Sequence, residues 1–168
     1  MTGAARRRPI RCGALRAALP ALLLLLAACE QGGRAVEVPG AAPTAAGQPA
    51  LPTARARVGD AELQVELATT PEQRAAGLRG RDVPVGTGMA FRYPGGEQVR
   101  FTMSGVDRPL VAVFAWQGRA RSVEQLAPCA GTVAQCPTYG PAGPVDVVVE
   151  AAPGSLPSAR PGDPVTVG

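Results

Sequence analysis

The amino-acid sequence predicts a mostly β fold, α+β at the margin: a compact single β-rich barrel or sandwich with one or two short helices over residues 55–168. Three observations carry that expectation. Leu63, Val65 and Leu67 alternate with Glu62, Gln64 and Glu66, the period of a strand with one buried face. Leu110 to Trp116 is apolar at both parities, as in a central strand covered on both sides. The apolar runs are short, and glycine- or proline-containing turns separate them.

In chain order, Arg55 to Val58 is a short strand that Gly59-Asp60 folds back as a hairpin onto Ala61 to Leu67. Thr70-Pro71-Glu72-Gln73 supplies an N-cap, a proline at the first helical position and a glutamine three residues after the cap. These start a short helix through about Leu78. Strands follow at Gly88 to Phe91, Gln98 to Met103, Leu110 to Trp116 and Arg119 to Leu126, the last two joined by Gln117-Gly118. Val145 to Glu150 is a further strand, Ser155 to Arg160 a helical turn, and Val165 to Val167 a closing strand. Gly86-Thr87-Gly88 and Gly95-Gly96 are read as turns, and no internal repeat is present.

The front of the chain has a different logic. Five arginines, Arg6, Arg7, Arg8, Arg11 and Arg16, precede an apolar run at Ala21 to Ala28, a basic segment followed by a hydrophobic one of signal-peptide length. The run is shorter than the roughly 20 apolar residues that span a bilayer. It ends in Leu26-Ala27-Ala28-Cys29, which resembles the bacterial lipobox, so residues 1–28 are expected to be a lipoprotein signal peptide and Cys29 the lipidated residue. An uncleaved anchor, or secretory cleavage at a nearby small residue, is the competing reading. Residues 29–54 are rich in Ala, Pro and Gly, without an aromatic or an apolar period, and are expected to be a tether reaching on the order of 75 Å if extended. The protein is therefore expected to be exported and anchored by lipid to the bacterial cell membrane or outer membrane, facing outside the cytoplasm.

Processing at Cys29 changes both the charge and the cysteine count. The formal net charge of the whole chain is +4, but five of its seventeen arginines are expected to leave with the signal peptide, and twelve then face thirteen acidic residues. The high pI thus belongs to the targeting segment, and a nucleic-acid partner is not expected. Cys12 also leaves and Cys29 carries lipid, so Cys129 and Cys136 are the remaining thiols in a disulfide-permissive compartment. A bridge between them is expected to contribute roughly 2–3 kcal/mol by closing the loop. Two thiols, no histidine and no carboxylate between Glu124 and Asp146 make a poor zinc site, and the six intervening residues do not match a redox Cys-x-x-Cys. Neither metal nor cofactor is expected.

Chemistry-bearing residues are sparse. The chain lacks histidine, lysine and asparagine, which removes a Walker-type phosphate loop and leaves Ser104 without an ordinary activating base. Asp146 and Glu150 share one strand face, but ~13 Å separates Cα atoms four positions apart on a strand, more than carboxylate-pair chemistry ordinarily uses. Both, like Glu62, Gln64 and Glu66, are read as a solvated face. Arg119 and Arg121 share a strand face and Arg100 is placed on a neighbouring strand; together they form a surface suited to carboxylate or phosphate groups, although solubility explains them equally. Thr138 and Tyr139, held in the stapled loop, offer a rigid contact, while Tyr139 and Trp116 also suit a role roofing the core.

Several landmarks in one order resemble the bacterial and archaeal family known as domain of unknown function number one hundred and ninety-two. They are Thr70 to Leu78, Gly88-Met89-Ala90-Phe91, Phe101-x-Met103, Pro109-Leu110, Pro128-Cys129, Cys136-Pro137-Thr138-Tyr139, Val149-Glu150 with Gly154, and Gly162-Asp163, spanning Val58 to Val167. The resemblance implies a compact β-rich domain, often exported, without an agreed activity. Where the family has a Trp-Met-Lys-Asn-Thr run, this chain has Thr102-Met103-Ser104-Gly105-Val106, and Val111 stands where an aspartate follows Pro-Leu. The resemblance places a functional surface at those polar positions, so their replacement implies a lost or altered activity; Asp107 lies nearby, four positions earlier than Val111.

The reading that follows is a non-enzymatic binding or interaction module at the cell envelope. Its partners are the membrane, through lipid on Cys29, and an unidentified envelope protein or small ligand. Its candidate binding surface is Tyr139, Thr138, Arg100, Arg119, Arg121 and Asp107. The alternative is an envelope enzyme using carboxylate or tyrosine chemistry in a shallow cleft, for which polar groups must converge in one pocket. A purely structural envelope component is the third possibility.

Overall fold

The structure, a computed structural model, describes residues 48–168. The expectations for residues 1–28, for Cys29 and for most of the tether lie outside the described residues. The described domain is mostly β, as the sequence predicts, with one short helix.

Nine strands and one helix follow in the order β1 Thr53–Val58, β2 Ala61–Ala68, α1 Pro71–Ala76, β3 Thr87–Glu97, β4 Phe101–Thr102, β5 Leu110–Trp116, β6 Arg119–Leu126, β7 Thr138–Tyr139, β8 Val145–Ala151 and β9 Val165–Val167. Seven of the strands form one sheet in the order β6-β5-β8-β3-β2-β1-β9, and β4 pairs with β7 as a separate ribbon. Hairpins make β1–β2 and β5–β6 antiparallel; β2 and β3, joined through α1, are parallel. The sheet curls until its two ends meet, where Ala120 N–H donates to Asp163 O at 2.9 Å and Val165 N–H to Gly118 O at 2.9 Å. The result is a half-barrel.

Its two faces are both buried, by different means. All seven strands contribute to one apolar cluster, including Val58, Leu63, Val65, Val113, Val149 and Val165. Only the concave side of a curled sheet lets its first and last strands share a core, so this cluster fills the curl. The convex side of β3, β5 and β8 carries Met89, Phe91, Phe114 and Val148, covered by Leu78, Val83, Met103 and Val106 from connecting segments. Thus β5 buries both parities, Leu110, Ala112 and Phe114 outward and Val111, Val113 and Ala115 inward.

The elements differ from the sequence expectation in four places. β3 extends to Glu97, and Gly95-Gly96, expected as a turn, lies inside it at φ 91° and 80° beside a register shift against β8. Positive φ at two successive glycines bends the strand away from the sheet. As a result the expected strand at Gln98 to Met103 shrinks to Phe101–Thr102 and pairs with Thr138–Tyr139 instead. Ser155 to Arg160 forms isolated turns rather than a helix, since Leu156 and Arg160 each precede a proline, which disfavours the α region there. Order begins before Arg55: Leu51 packs on the convex core, Leu67 N–H donates to Pro52 O at 2.7 Å, and Thr53 and Ala54 belong to β1.

Candidate functional site

The convex layer does not close completely. Between α1, β3, β8 and the β4 segment lies a cavity of about 190 Å³. α1 is positioned by its cap: the Thr70 hydroxyl accepts from Gln73 N–H at 3.3 Å, and the Gln73 side chain accepts from Thr70 N–H at 3.0 Å. Gly77 and Leu78 then turn the chain under the helix, and Arg74 and Arg79 flank that turn at the cavity.

Arg74 donates to the carbonyls of Thr69 at 2.8 Å and Arg92 at 3.1 Å, and its guanidinium lies 4.8 Å from the Tyr93 ring centroid. These contacts use the cation as a brace, its charge met by carbonyls and a ring face rather than by a paired carboxylate. Arg79 donates to Ala75 O and Arg100 to Gly140 O. Among the described residues no carboxylate forms an ion pair with Arg74, Arg79 or Arg100; the pairs present involve Arg55, Arg57, Arg81 and Arg108.

Below these half-buried and exposed cations the lining is buried at Phe91, Met103 and Val106 and half-buried at Phe101. Phe91 meets Phe101 edge to face at 4.9 Å between centroids, and Phe101 meets Phe114 in the same way at 5.5 Å. Met103 and Val106 complete the apolar wall. On β8, Glu150 is 5 % exposed and lines the cavity. Burial pushes its carboxyl up to about 8, with no charge or hydrogen bond offsetting that cost, so it is mostly protonated at neutral pH. Among the described residues Glu150 has no hydrogen-bond or ion-pair partner, and it lines the cavity. Burial likewise raises the Tyr93 phenol to about 12, against the pull of Arg74, which keeps it protonated.

One wall depends on the disulfide. Cys129 and Cys136 are bonded, with Cα atoms 5.9 Å apart. Gly105 N–H donates to Cys129 O at 3.2 Å, Cys129 N–H to Val106 O at 3.4 Å, and the Ser104 hydroxyl to Gly131 O at 2.9 Å. The bridged loop therefore holds the segment Thr102 to Val106, where the chain departs from the resembled family's polar run.

Of the residues selected from sequence, Arg100 reaches the cavity, and Thr138 and Tyr139 stand behind it as β7, paired with Thr102 and Phe101. Tyr139 is half-buried and its hydroxyl accepts from Ala127 N–H at 3.3 Å. The others do not join them. Arg119 donates to Gly162 O at 3.2 Å where the sheet ends meet, and Arg121 lies 5.8 Å from the Trp116 ring centroid. Asp107 is exposed and paired with Arg108 at 3.3 Å.

The solvated-face reading of the carboxylates is corrected at two positions. Glu150 is buried because the convex layer covers β8, and Glu66 is half-buried against Arg81, itself buried, at 2.5 Å. Asp146 accepts from Gln117 N–H at 2.9 Å near the far end of β8. Arg74, Arg79, Tyr93 and Glu150 escaped selection as a group. The available signal at Glu150 was its setting, Val147-Val148-Val149-Glu150-Ala151-Ala152, which is apolar at both parities.

Fold and site together define a small curled-sheet domain carrying one arginine-rimmed cavity on its convex side. The chain belongs to the DUF192 family, described as "Uncharacterized ACR", whose profile matches residues 54–167. A crystal structure from Sinorhizobium meliloti 1021, described as a candidate transcription regulator, is similar at 27% identity and TM-score 0.63, over 72% of this chain and 98% of that one. A protein of unknown function from Novosphingobium aromaticivorans DSM 12444 shares the fold at TM-score 0.61 and 24% identity, over 76% of this chain and 99% of that one. No curated protein matches significantly.

Proposed function

We propose that the chain is an exported, lipid-anchored binding module of the cell envelope whose convex cavity holds a small ligand. The observation that carries the ligand site is that three arginines and one buried carboxyl line one cavity, the arginines without acidic partners and the carboxyl without any partner among the described residues. A buried carboxyl without a partner is left costly by the fold alone, and cations without competing carboxylates can meet an anionic group of a bound molecule. Residues 48–168 hold eleven arginines and eleven acids, a balance that favours a small ligand over a nucleic-acid backbone. The anchor rests on the order of basic segment, apolar run and Leu26-Ala27-Ala28-Cys29.

The enzyme alternative gains from the same convergence, since a protonated carboxyl in a cleft is a general-acid candidate. It lacks a base for that role: Tyr93 is held protonated, the remaining lining offers no cysteine, histidine or serine, and the Thr102 hydroxyl, the nucleophile type left in it, accepts from Ser104 N–H at 3.4 Å with no base beside it in the lining. Binding without turnover is therefore preferred. Cys29→Ser should abolish labelling by a palmitate analogue and move the protein from the membrane to the soluble fraction; continued labelling overturns the anchor. A thermal-shift screen of small metabolites should find stabilisers of the wild type that lose their effect in Arg74→Ala with Arg79→Ala.

A further inference from the structure

The row of residues running across the sheet at Glu150 isolates the chemistry of the cavity. Glu66 pairs in register with Met89, Met89 with Glu150, Glu150 with Ala112, and Ala112 with Glu124. The two outer carboxylates, each two strands or ~10 Å from Glu150, are satisfied. Glu66 meets Arg81, and Glu124 accepts from Gly140 N–H at 3.1 Å and the Ser122 hydroxyl at 2.9 Å. The central carboxyl lines the cavity and has no such partner among the described residues.

Resting on the reading that this cavity is a ligand site, we propose that it takes a small organic anion with an apolar body. The anion's carboxylate or phosphoryl group sits among Arg74, Arg79 and Arg100, and another of its oxygens hydrogen-bonds to the Glu150 carboxyl, which lines the same cavity. Three observations fit this chemistry. The guanidiniums supply positive charge and forked donors without a competing carboxylate. The edge-to-face phenylalanines, Met103 and Val106 supply an apolar wall below them. Glu150 lines the same cavity from β8, and the burial that raises its carboxyl to about 8 leaves it a proton to donate.

The groups facing Glu150 agree. From α1 and its following turn come Arg74 and Arg79, from β3 Tyr93, and from the segment before β4 Arg100. Glu97 stands beyond Tyr93, β5 presents Ala112, and Asp146 on β8 itself is engaged with Gln117. An ionised Glu150 would place a second negative charge beside the anion, so anion affinity is coupled to a proton and weakens as Glu150 ionises.

The test uses three probes of one shape, benzoate, benzamide and benzylamine, with phenyl phosphate to compare phosphoryl and carboxylate groups. Binding to the full chain is followed through the methyl resonances of Leu78, Met103 and Val106. Benzoate or phenyl phosphate should shift these methyls, and its affinity should fall about tenfold between pH 7 and pH 9 as Glu150 loses its proton. Glu150→Gln, which retains a donor but cannot ionise, should bind the same anion with little pH dependence, while Arg79→Ala should weaken it severalfold in a folded chain. Preference for benzylamine would make Glu150 an ionised counter-ion, and pH-independent anion binding by the wild type would remove its protonated role; either result overturns the proposal while leaving a ligand site. Absence of a shift with every probe overturns the proposal too, and the metabolite screen then decides separately whether the cavity binds anything.

Discussion

Glu150 shows how a single residue links stability to function. Its folded value near 8 lies above the ordinary carboxyl value of 4.5, so the native state holds a proton that the unfolded state has released. Its protonated form is accommodated fully below the unfolded value, and stability declines as pH rises toward and through the folded one. The melting temperature of the ligand-free wild type should therefore fall between pH 5 and pH 8, with Glu150→Gln flattening that segment of the curve and gaining a few kcal/mol relative to the wild type at pH 8. A curve equally steep in both proteins would assign the pH dependence elsewhere. Gly88 acts on the same residue through the backbone, since a Cβ there would overlap the Glu150 carbonyl where β3 pairs with β8. Gly88→Ala should cost more than about 3 kcal/mol in chemical denaturation.

Two elements frame the cavity, and each has its own fastening. The capping box of α1 is exposed and local, so Thr70→Ala should cost about 1 kcal/mol and increase amide exchange through Pro71–Ala76 while leaving the sheet folded. The disulfide acts at longer range, because the loop it closes holds Ser104, Gly105 and Val106. Cys129→Ser with Cys136→Ser should lower the melting temperature by an amount corresponding to roughly 2–3 kcal/mol and loosen the Met103 and Val106 methyls more than those of β5. Equal broadening across both groups would show that the bridge supports the whole domain rather than this wall.

At the scale of the molecule, the segment entering the domain belongs to its structure. Gln48 donates to Arg79 O at 2.9 Å, and Arg81 donates to Gln48 at 3.0 Å and to Pro49 O at 3.1 Å. Leu51 packs on the convex core, and Thr53 and Ala54 pair with Glu66 and Val65. A fragment beginning at Arg55 removes these partners and leaves Arg81 buried with fewer of them. It should be less stable than a fragment beginning at Gln48 by roughly 3–5 kcal/mol, as measured by urea unfolding. Equal midpoints would show that the entering segment contributes nothing.

Local periodicity and turn chemistry made much of the fold legible. The hairpin at Gly59-Asp60, the cap at Thr70, the two-faced strand Leu110–Trp116 and the turn at Gln117-Gly118 each depend on neighbours within a few residues. The order of family landmarks across Val58 to Val167 was likewise written along the chain, and the family match covers residues 54–167. Tertiary structure alone decided how Glu150 differs from Asp146 on one strand, because burial depends on what covers the face as well as on strand parity. It also decided the distances by which Arg100 shares one cavity with Arg74 and Arg79 while Arg119 and Arg121 lie elsewhere. Those distances arise when the sheet curls and β3 bends at Gly95-Gly96, bringing together residues remote in sequence whose separations no local pattern encodes.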